Sequence, residues 1–184
     1  MATKGSEIRN PKTGHRIKFL QTAADTNGAF LEMISSYEAK SLEPPLHYHP
    51  YQEEYFEVIS GEISVRINGE VEVLGPGHQL YIAKSTVHTM WNNSDQPSTI
   101  RWKVMPAMDM ENFLETIMIL ANEGKTKPDG RPGFLQFAFL VNRFHKVFRL
   151  ARPPYFIQKT LFFLLSPLLY FFGCEQQATM PTAD

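Results

Sequence analysis

The segment His47-Tyr48-His49-Pro50-Tyr51-Gln52-Glu53-Glu54 places two histidines and a carboxylate close together in the chain. Histidines at positions i and i+2 of an extended segment point to the same side of a sheet, so both rings can turn a nitrogen toward one ion. Glu54 lies five residues after His49, an odd offset that regular alternation would place on the opposite face. Pro50 lies between them, and a turn or bulge there can reset the alternation.

The strand predicted to follow gives Glu54 an apolar environment. Glu54, Phe56 and Val58 share one face of that strand, which would line a protein interior. A lone carboxylate in such a place is costly unless it binds a metal ion or another cation. His88, on a later strand, is the fourth candidate ligand. Three imidazoles and one carboxylate suit Fe²⁺, Mn²⁺, Co²⁺, Ni²⁺, Cu²⁺ or Zn²⁺, and they leave one or two positions of the ion open.

Short strands separated by turns are predicted on both sides of this segment. Asn68-Gly69 lies between two alternating runs and is a strong hairpin signal. The strands predicted before residue 108 are Arg16–Leu20, Ala29–Tyr37, Tyr55–Ile59, Glu62–Ile67, Glu70–Leu74, Leu80–Ala83, His88–Trp91 and Thr99–Met105. Short strands at such regular spacing predict an all-β sandwich or barrel.

Beyond residue 108 the hydrophobic period changes to that of a helix. Asp109 is the predicted N-cap of a first helix, and Phe134–Leu150 is predicted to form a second one. A third, mostly apolar segment, Tyr155–Gly173, is expected to be broken at Ser166-Pro167.

The composition supports the same division of the chain. Residues 1–130 carry 12 Lys and Arg against 17 Asp and Glu, whereas residues 131–174 carry six basic residues, no acidic residue and ten of the 14 Phe. The whole chain has 184 residues, which suggests one domain with an appendage. We therefore expect a β-barrel with a metal site over 1–108, a basic, Phe-rich helical extension over 109–175 and a flexible tail over 176–184.

The sequence also indicates the compartment of the protein and argues against nucleic-acid binding. The single cysteine, Cys174, cannot form an internal disulfide, and the polar start of the chain has no secretory signal pattern. Both features predict a cytoplasmic protein. Nucleic-acid binding is not expected, because the acidic barrel offers no basic stripe.

The first of two motifs resembles that of the cupins. The cupin pattern runs His-x-His, three or four residues, Glu, six residues, Gly. It is matched in full by His47, His49, Glu54 and Gly61.

The second motif resembles its cupin counterpart in part. That pattern runs Pro-x-Gly, two residues, His, three residues, Asn. His88 and Asn92 match it, whereas Ala83 and Ser85 stand where Pro and Gly are usual. These departures change turn residues and leave the candidate ligands in place. They therefore concern the shape of the loop more than metal binding.

The resemblance extends over most of the chain, to a group of single-domain bacterial cupins with a helical C-terminal extension. It implies a mainly β fold, a cupin (double-stranded β-helix or jelly-roll) barrel followed by α-helices, and a homodimer. It also implies that His47, His49, Glu54 and His88 hold one divalent metal ion, with Fe²⁺ favoured.

The expected activity is that of a mononuclear metal-dependent oxygenase, a dioxygenase, acting on a small, largely apolar molecule. In this scheme Glu54 is both a ligand and a catalytic base, as proposed for related dioxygenases. The predicted substrate pocket consists of Phe56, Val58, Ile67, Met90 and Trp102. The alternatives are a metal-dependent isomerase or lyase, and a non-catalytic cupin that binds a small ligand.

The extension has three possible locations. Between Leu161 and Phe172 only Ser166 and Pro167 are not apolar, but a spanning helix needs about 20 apolar residues. We therefore expect the extension to pack on the barrel, to pack on a dimer partner, or to contact a membrane surface through residues 134–173.

Overall fold

A computed structural model describes residues 2–171, so the predicted tail 176–184 and residues 172–175 of the predicted extension lie outside the described residues. The strands are β1 (Glu7–Arg9), β2 (Arg16–Gln21), β3 (Leu31–Tyr37), β4 (His47–Tyr48), β5 (Glu53–Ser60), β6 (Ile63–Ile67), β7 (Glu70–Leu74), β8 (Gln79–Ile82), β9 (His88–Trp91), β10 (Ser98–Met105) and β11 (Arg149–Leu150). The helices are α1 (Met110–Asn122), α2 (Phe134–Arg143) and α3 (Tyr155–Phe171).

The strands form two antiparallel sheets around an apolar interior. One sheet has the order β1-β2-β3-β10-β5-β8 and the other has the order β11-β4-β9-β6-β7. Both sheets contribute to one buried cluster, which contains Phe56, Val58, Ile63, Val65, Leu74, Ile82, Met90 and Ile100. The predicted mainly β barrel of the jelly-roll type, with a helical C-terminal extension, is therefore confirmed.

The hairpin predicted at Asn68-Gly69 is also confirmed. Ile67 of β6 pairs with Glu70 of β7, so the turn between the two strands consists of Asn68 and Gly69. Asn68 has a φ of 51° and Gly69 has a φ of 98°. A type I′ turn requires positive φ at both central residues, and Asn and Gly adopt it most readily.

Gly61 connects β5 to β6 at a point where a side chain would not fit. Its φ is 70°, and an added Cβ would lie 2.8 Å from the Cα of Ser98 and against the carbonyl oxygen of Pro97. Because these are backbone atoms, they can move only if the start of β10 moves. We therefore expect Gly61→Ala to lower the free energy of unfolding by about 2 kcal/mol or more, as measured by urea denaturation.

Gly77→Ala is the matched control for this change. Gly77 also has a positive φ, 81°, but an added Cβ would meet nothing within 4 Å. In the control, the free energy of unfolding should fall only by the cost of the positive φ for alanine, about 1 kcal/mol. Equal losses in the two variants would contradict the steric explanation.

The first two helices share one hydrophobic core with the barrel. Phe19 of β2 and Met33 of β3 lie in the same buried cluster as Phe113 of α1 and Leu140 of α2. Because this cluster is continuous, α1 and α2 enlarge the barrel core rather than build a separate one.

The second helix is shorter than predicted. The apolar spacing predicts a helix over Phe134–Leu150, but α2 ends at Arg143 and residues 144–147 form a turn. The chain then enters β11, in which Arg149 pairs with Tyr48 and Leu150 pairs with His47. The prediction is therefore wrong after Arg143, because pairing with a distant strand overrides the local helical pattern.

The third helix continues where a break was predicted. Pro167 has no N–H for the carbonyl oxygen of Phe163, which lies four residues earlier. The hydroxyl of Ser166 donates a hydrogen bond to that oxygen at 2.8 Å. The neighbouring serine thus replaces the missing donor, and α3 continues to Phe171. None of the helices in the described range is long and apolar enough to span a membrane.

Candidate metal centre

The four predicted ligands come together from three strands and one irregular segment. His47 begins β4 and pairs with His88, the first residue of β9. The chain leaves regular strand structure at residues 49–52 before β5 begins. This interruption resets the side-chain alternation as the sequence suggested, so Glu54 and His49 are both buried.

The three imidazoles converge on one point. His47, His49 and His88 each offer one nitrogen, and these atoms all lie within 4.8 Å of one another. Glu54 contacts two of the rings. Its Oε1 lies 3.4 Å from Nε2 of His49, and its Oε2 lies 2.9 Å from Nε2 of His88.

Each imidazole is oriented by a backbone carbonyl. Nδ1 of His47 lies 2.8 Å from the oxygen of Pro45, and Nδ1 of His88 lies 2.9 Å from the oxygen of Thr86. Nδ1 of His49 bonds the oxygen of Val147. Because a carbonyl oxygen only accepts, Nδ1 carries the hydrogen in all three rings. A neutral ring of this tautomer presents the lone pair of Nε2, which is the arrangement that metal-binding histidines use.

The donor set fits a divalent metal ion. Nε2 of His49 and Oε2 of Glu54 are buried without a hydrogen-bond partner. With the hydrogen on Nδ1, Nε2 of His88 has no proton to donate to Glu54 either, so a cation is needed between them. Two ligands bound at about 2.1 Å and at right angles lie about 3.0 Å apart, which agrees with the contacts of 2.9 and 3.4 Å. His47, His49 and His88 could therefore hold an ion.

The electrostatics of the metal-free site favour neutral His47 and His49 rings beside an ionised carboxylate. Burial, together with the neighbouring His88 and His49, lowers the pKa of His47 to about 3. Burial also lowers the pKa of His49, although Glu54 acts in the opposite direction. Burial would raise the pKa of Glu54, but His49 and His88 outweigh it and lower this pKa to about 2.

His88 differs from the other two rings. Burial lowers its pKa, but the contact with Glu54 outweighs burial and raises the pKa above the ordinary value. A proton on His88 can thus take the place of a metal ion beside Glu54 when none is bound. Metal binding must then release that proton, so it should strengthen with rising pH.

Trp102 contacts the carboxylate in a way the sequence did not reveal. Its indole Nε1 donates a hydrogen bond to Oε1 of Glu54 at 3.0 Å. Trp102 lies on β10 opposite Phe56 of β5, and their rings stack with centroids 5.8 Å apart. The indole therefore fixes one carboxylate oxygen and leaves Oε2 facing His88.

Replacing Trp102 with phenylalanine should weaken both the fold and the site. The buried Oε1 would lose its donor, which should lower the free energy of unfolding of the metal-free protein by about 1–3 kcal/mol. Loss of a partner that orients a ligand should weaken metal affinity about tenfold or more. Chemical denaturation and metal titration measure the two effects. Trp91→Phe removes another indole, which is buried on β9, and should leave metal affinity unchanged.

The C-terminal extension also contributes to the site. Besides the Val147 carbonyl, the ring of Phe148 stacks on His47 at 4.6 Å and meets His49 edge-on at 6.4 Å. Both residues precede β11, which pairs with β4. The sequence placed them inside a helix, so the contact could not be predicted.

The five residues predicted to form a substrate pocket lie in one cluster next to the site. Phe56, Val58 and Met90 are buried in it, and Ile67 and Trp102 pack against it. The cluster adjoins the ligands, because Ile67 pairs with His88 and Trp102 bonds Glu54.

A depression of about 440 Å³ lies elsewhere, on the outer face of the six-stranded sheet. Arg101 and Lys103 line it together with Tyr55 and Tyr81. Both cations therefore lie on the opposite face of β10 from Trp102.

Comparisons with known proteins agree with this architecture. The Cupin_2 model, which describes a cupin domain, matches residues 33–103, a segment that contains all four predicted ligands. An oxidoreductase of Arthrobotrys oligospora is 34% identical over 64 residues, which are 34% of this chain and 25% of that protein. The tetracenomycin polyketide synthase protein TcmJ of Streptomyces glaucescens is 30% identical over 60 residues, which are 33% of this chain and 40% of that protein.

Among solved structures, KdgF from Halomonas sp. has a TM-score of 0.47 and 17% sequence identity, and the match covers 53% of this chain and 84% of that one. For the two curated relatives, the matched segments cover 25% and 40% of the protein, so the chain spans less than half the length of each. Its motif residues, barrel and matched segment nevertheless agree. Residues 33–103 match a cupin domain, and the predicted resemblance to the cupins is confirmed over this segment.

Proposed function

We propose that His47, His49, His88 and Glu54 bind one divalent metal ion, with Fe²⁺ favoured, and that the protein is a mononuclear metal-dependent oxygenase. The observation that supports this most is the common orientation of the three imidazoles. Each ring turns Nδ1 to a backbone carbonyl, which leaves three Nε2 lone pairs directed to one point beside a buried carboxylate. A surface cluster of histidines would not need three separate backbone acceptors.

The donor types favour iron or a similar first-row ion. Three neutral nitrogens and one carboxylate suit Fe²⁺, with Mn²⁺, Ni²⁺, Co²⁺, Cu²⁺ and Zn²⁺ as alternatives. Such an ion, when bound, supplies open positions for dioxygen and for an oxygen atom of the substrate. The Arthrobotrys relative is described as an oxidoreductase, which supports the redox alternative over simple binding.

The surroundings of the site favour a small, largely apolar substrate. The side chains that adjoin the site on this side, among them Phe56, Met90 and Trp102, are aromatic or aliphatic. A strongly charged substrate would lose its hydration there without gaining a partner. We propose that this cluster excludes water and orients an apolar substrate body, while the substrate's oxygen approaches the ligands.

Glu54 is the proposed catalytic base. Its contacts with His49 and His88 keep the carboxylate ionised, so it can accept a proton from a substrate hydroxyl. The same contacts make it a weak base, because they lower its pKa to about 2. The Glu54 carboxylate would become a stronger base if substrate binding moved it away from His88. A role as catalytic base therefore requires such a movement.

Metal analysis and oxygen uptake test the proposal. Protein purified without an affinity tag should contain about one equivalent of metal per chain, and His88→Ala should lose it. The Fe²⁺-loaded protein should then consume dioxygen with at least one member of a panel of small apolar compounds that carry a hydroxyl or carbonyl oxygen. His78→Ala removes an imidazole from an exposed turn and should change neither result.

Other outcomes would favour the alternatives. Turnover without dioxygen consumption would indicate an isomerase or lyase that uses the ion as a Lewis acid. Tight ligand binding without any product, and with equal tolerance of every divalent ion, would indicate a non-catalytic binding protein. A folded protein that contains no metal after purification and binds none when Fe²⁺ is added would contradict the assignment of a metal site.

A further inference from the structure

The last two helices carry positive charge only. Residues 131–171 include six basic side chains and no acidic one. Arg143, Lys146, Arg152 and Lys159 among them are exposed. The remainder of the chain up to residue 130 has a charge of 12 − 17 = −5. The molecule is therefore electrically asymmetric, with its positive charge concentrated in residues 131–171.

Within residues 155–167, for which burial is described, helix α3 buries a narrow stripe against α2. Phe162 is buried against Leu135, Ala138 and Phe139 of α2, with Leu165 beside it. Gln158, one turn before Phe162, bonds the carbonyl oxygens of Leu150 and Pro153. These positions are spaced as i, i+4 and i+7, which defines a single face of the helix.

The opposite side of α3 exposes large apolar side chains. Phe156 and Phe163, seven residues apart, are 70% and 79% exposed, and Leu164 is 66% exposed. Ile157 and Leu161 are each 42% exposed. Thr160 is also exposed, between Phe156 and Leu164. Single exposed apolar residues are ordinary, but a helix face that exposes five large apolar side chains marks an interaction surface. Lys159 lies at the edge of this face, between its exposed side and the stripe that contacts α2.

We propose that α3 lies in the interface of an anionic lipid bilayer, with Phe156, Phe163 and Leu164 inserted at the headgroup boundary. A helix that combines an exposed apolar face with flanking basic residues and no acids matches the requirements for such binding. The acidic barrel would then face away from the negative lipid surface. This orientation follows from charge and does not depend on the proposed oxygenase activity.

Charge argues against a second copy of the chain that meets this one through α3 on both sides. A two-fold symmetric pair through α3 would bring the same basic segment from both copies together. With no acidic residue in residues 131–171, the two segments would repel each other across the interface. An anionic bilayer offers the complementary charge instead.

Vesicle co-sedimentation of the full chain tests the proposal. The chain should pellet with vesicles of phosphatidylglycerol and phosphatidylcholine, and much less with phosphatidylcholine alone. Phe156→Ser/Phe163→Ser should lower the partition coefficient about tenfold or more. Arg152→Gln/Lys159→Gln should lower it about 25-fold, about fivefold for each basic side chain.

Val71→Ser/Val73→Ser is the matched control, because it removes two apolar side chains from β7 of the barrel that are 50% and 57% exposed. It should leave vesicle binding unchanged. Circular dichroism and metal content should be unchanged in all three variants, which separates loss of docking from loss of fold.

Two results would overturn the proposal. Failure of the wild-type chain to pellet with anionic vesicles would exclude a bilayer partner. A dimer in sedimentation velocity that dissociates in Phe156→Ser/Phe163→Ser, without any vesicle binding, would assign the surface to a second copy. Because neither measurement uses oxygen uptake, failure here leaves the proposed oxygenase activity untouched.

Discussion

His49→Ala is expected to leave the protein folded but nearly free of metal. Replacing a residue that only orients a ligand already weakens metal affinity about 10- to 100-fold, so loss of a ligand itself should weaken it at least about 100-fold. Glu54→Ala should have the same direction of effect, because its two oxygens contact Nε2 of His49 and of His88. Elemental analysis after dialysis against a weak chelator measures the loss.

The fold should survive these changes because the barrel core does not depend on the ligands. Phe56, Val58 and Met90 pack with one another whether or not an ion is present. Far-ultraviolet circular dichroism should therefore be unchanged. His78→Ala controls for adventitious binding to an exposed imidazole. Full metal stoichiometry in both His49→Ala and Glu54→Ala would refute the assignment of the site.

Phe148→Ala should reduce stability and metal affinity together. The ring is buried in the core shared by the barrel and the helices, and it stacks on His47. Removing a buried phenylalanine should lower the free energy of unfolding by about 3–5 kcal/mol. It should also free the His47 ring and disturb the neighbouring Val147 carbonyl that bonds His49. We therefore expect metal affinity to fall about tenfold or more.

Phe144→Ala provides the matched control for this variant. Phe144 lies in the same core, and both Phe144 and Phe148 contact the ring of Phe113, at 5.4 and 5.0 Å. The two variants should lose similar amounts of stability in urea denaturation, but only Phe148→Ala should lose metal affinity in a titration. Equal losses of metal affinity would mean that the extension supports the site only through general stability.

The four candidate ligands could be identified from the sequence because their pattern is local. His47, His49 and Glu54 lie within one short segment, so their spacing and one strand break determine where they point. His88 was identified by a second motif, and its pairing with His47 brings the two together. The barrel itself followed from the regular spacing of turns, of which Asn68-Gly69 was the clearest.

The surroundings of the candidate ligands could not be predicted, because their contacts join residues that are distant in the sequence. The bond from Trp102 to Glu54 depends on the register of β10 against β5, which the sequence does not specify. The contacts of Val147 and Phe148 depend on where α2 stops, and its apolar spacing continues past Arg143 without interruption. In the helix through Pro167, the hydroxyl of Ser166 bonds the carbonyl oxygen of Phe163, a contact that no propensity scale anticipates.

The bond between His49 and Val147 joins residues that are 98 positions apart in the chain. During synthesis, every histidine of the site leaves the ribosome well before the carbonyl that holds His49 exists. The His49 ring therefore lacks this partner until Val147 has been made and the segment before β11 has docked on β4. Docking of the extension is thus the step that fixes the orientation of this imidazole.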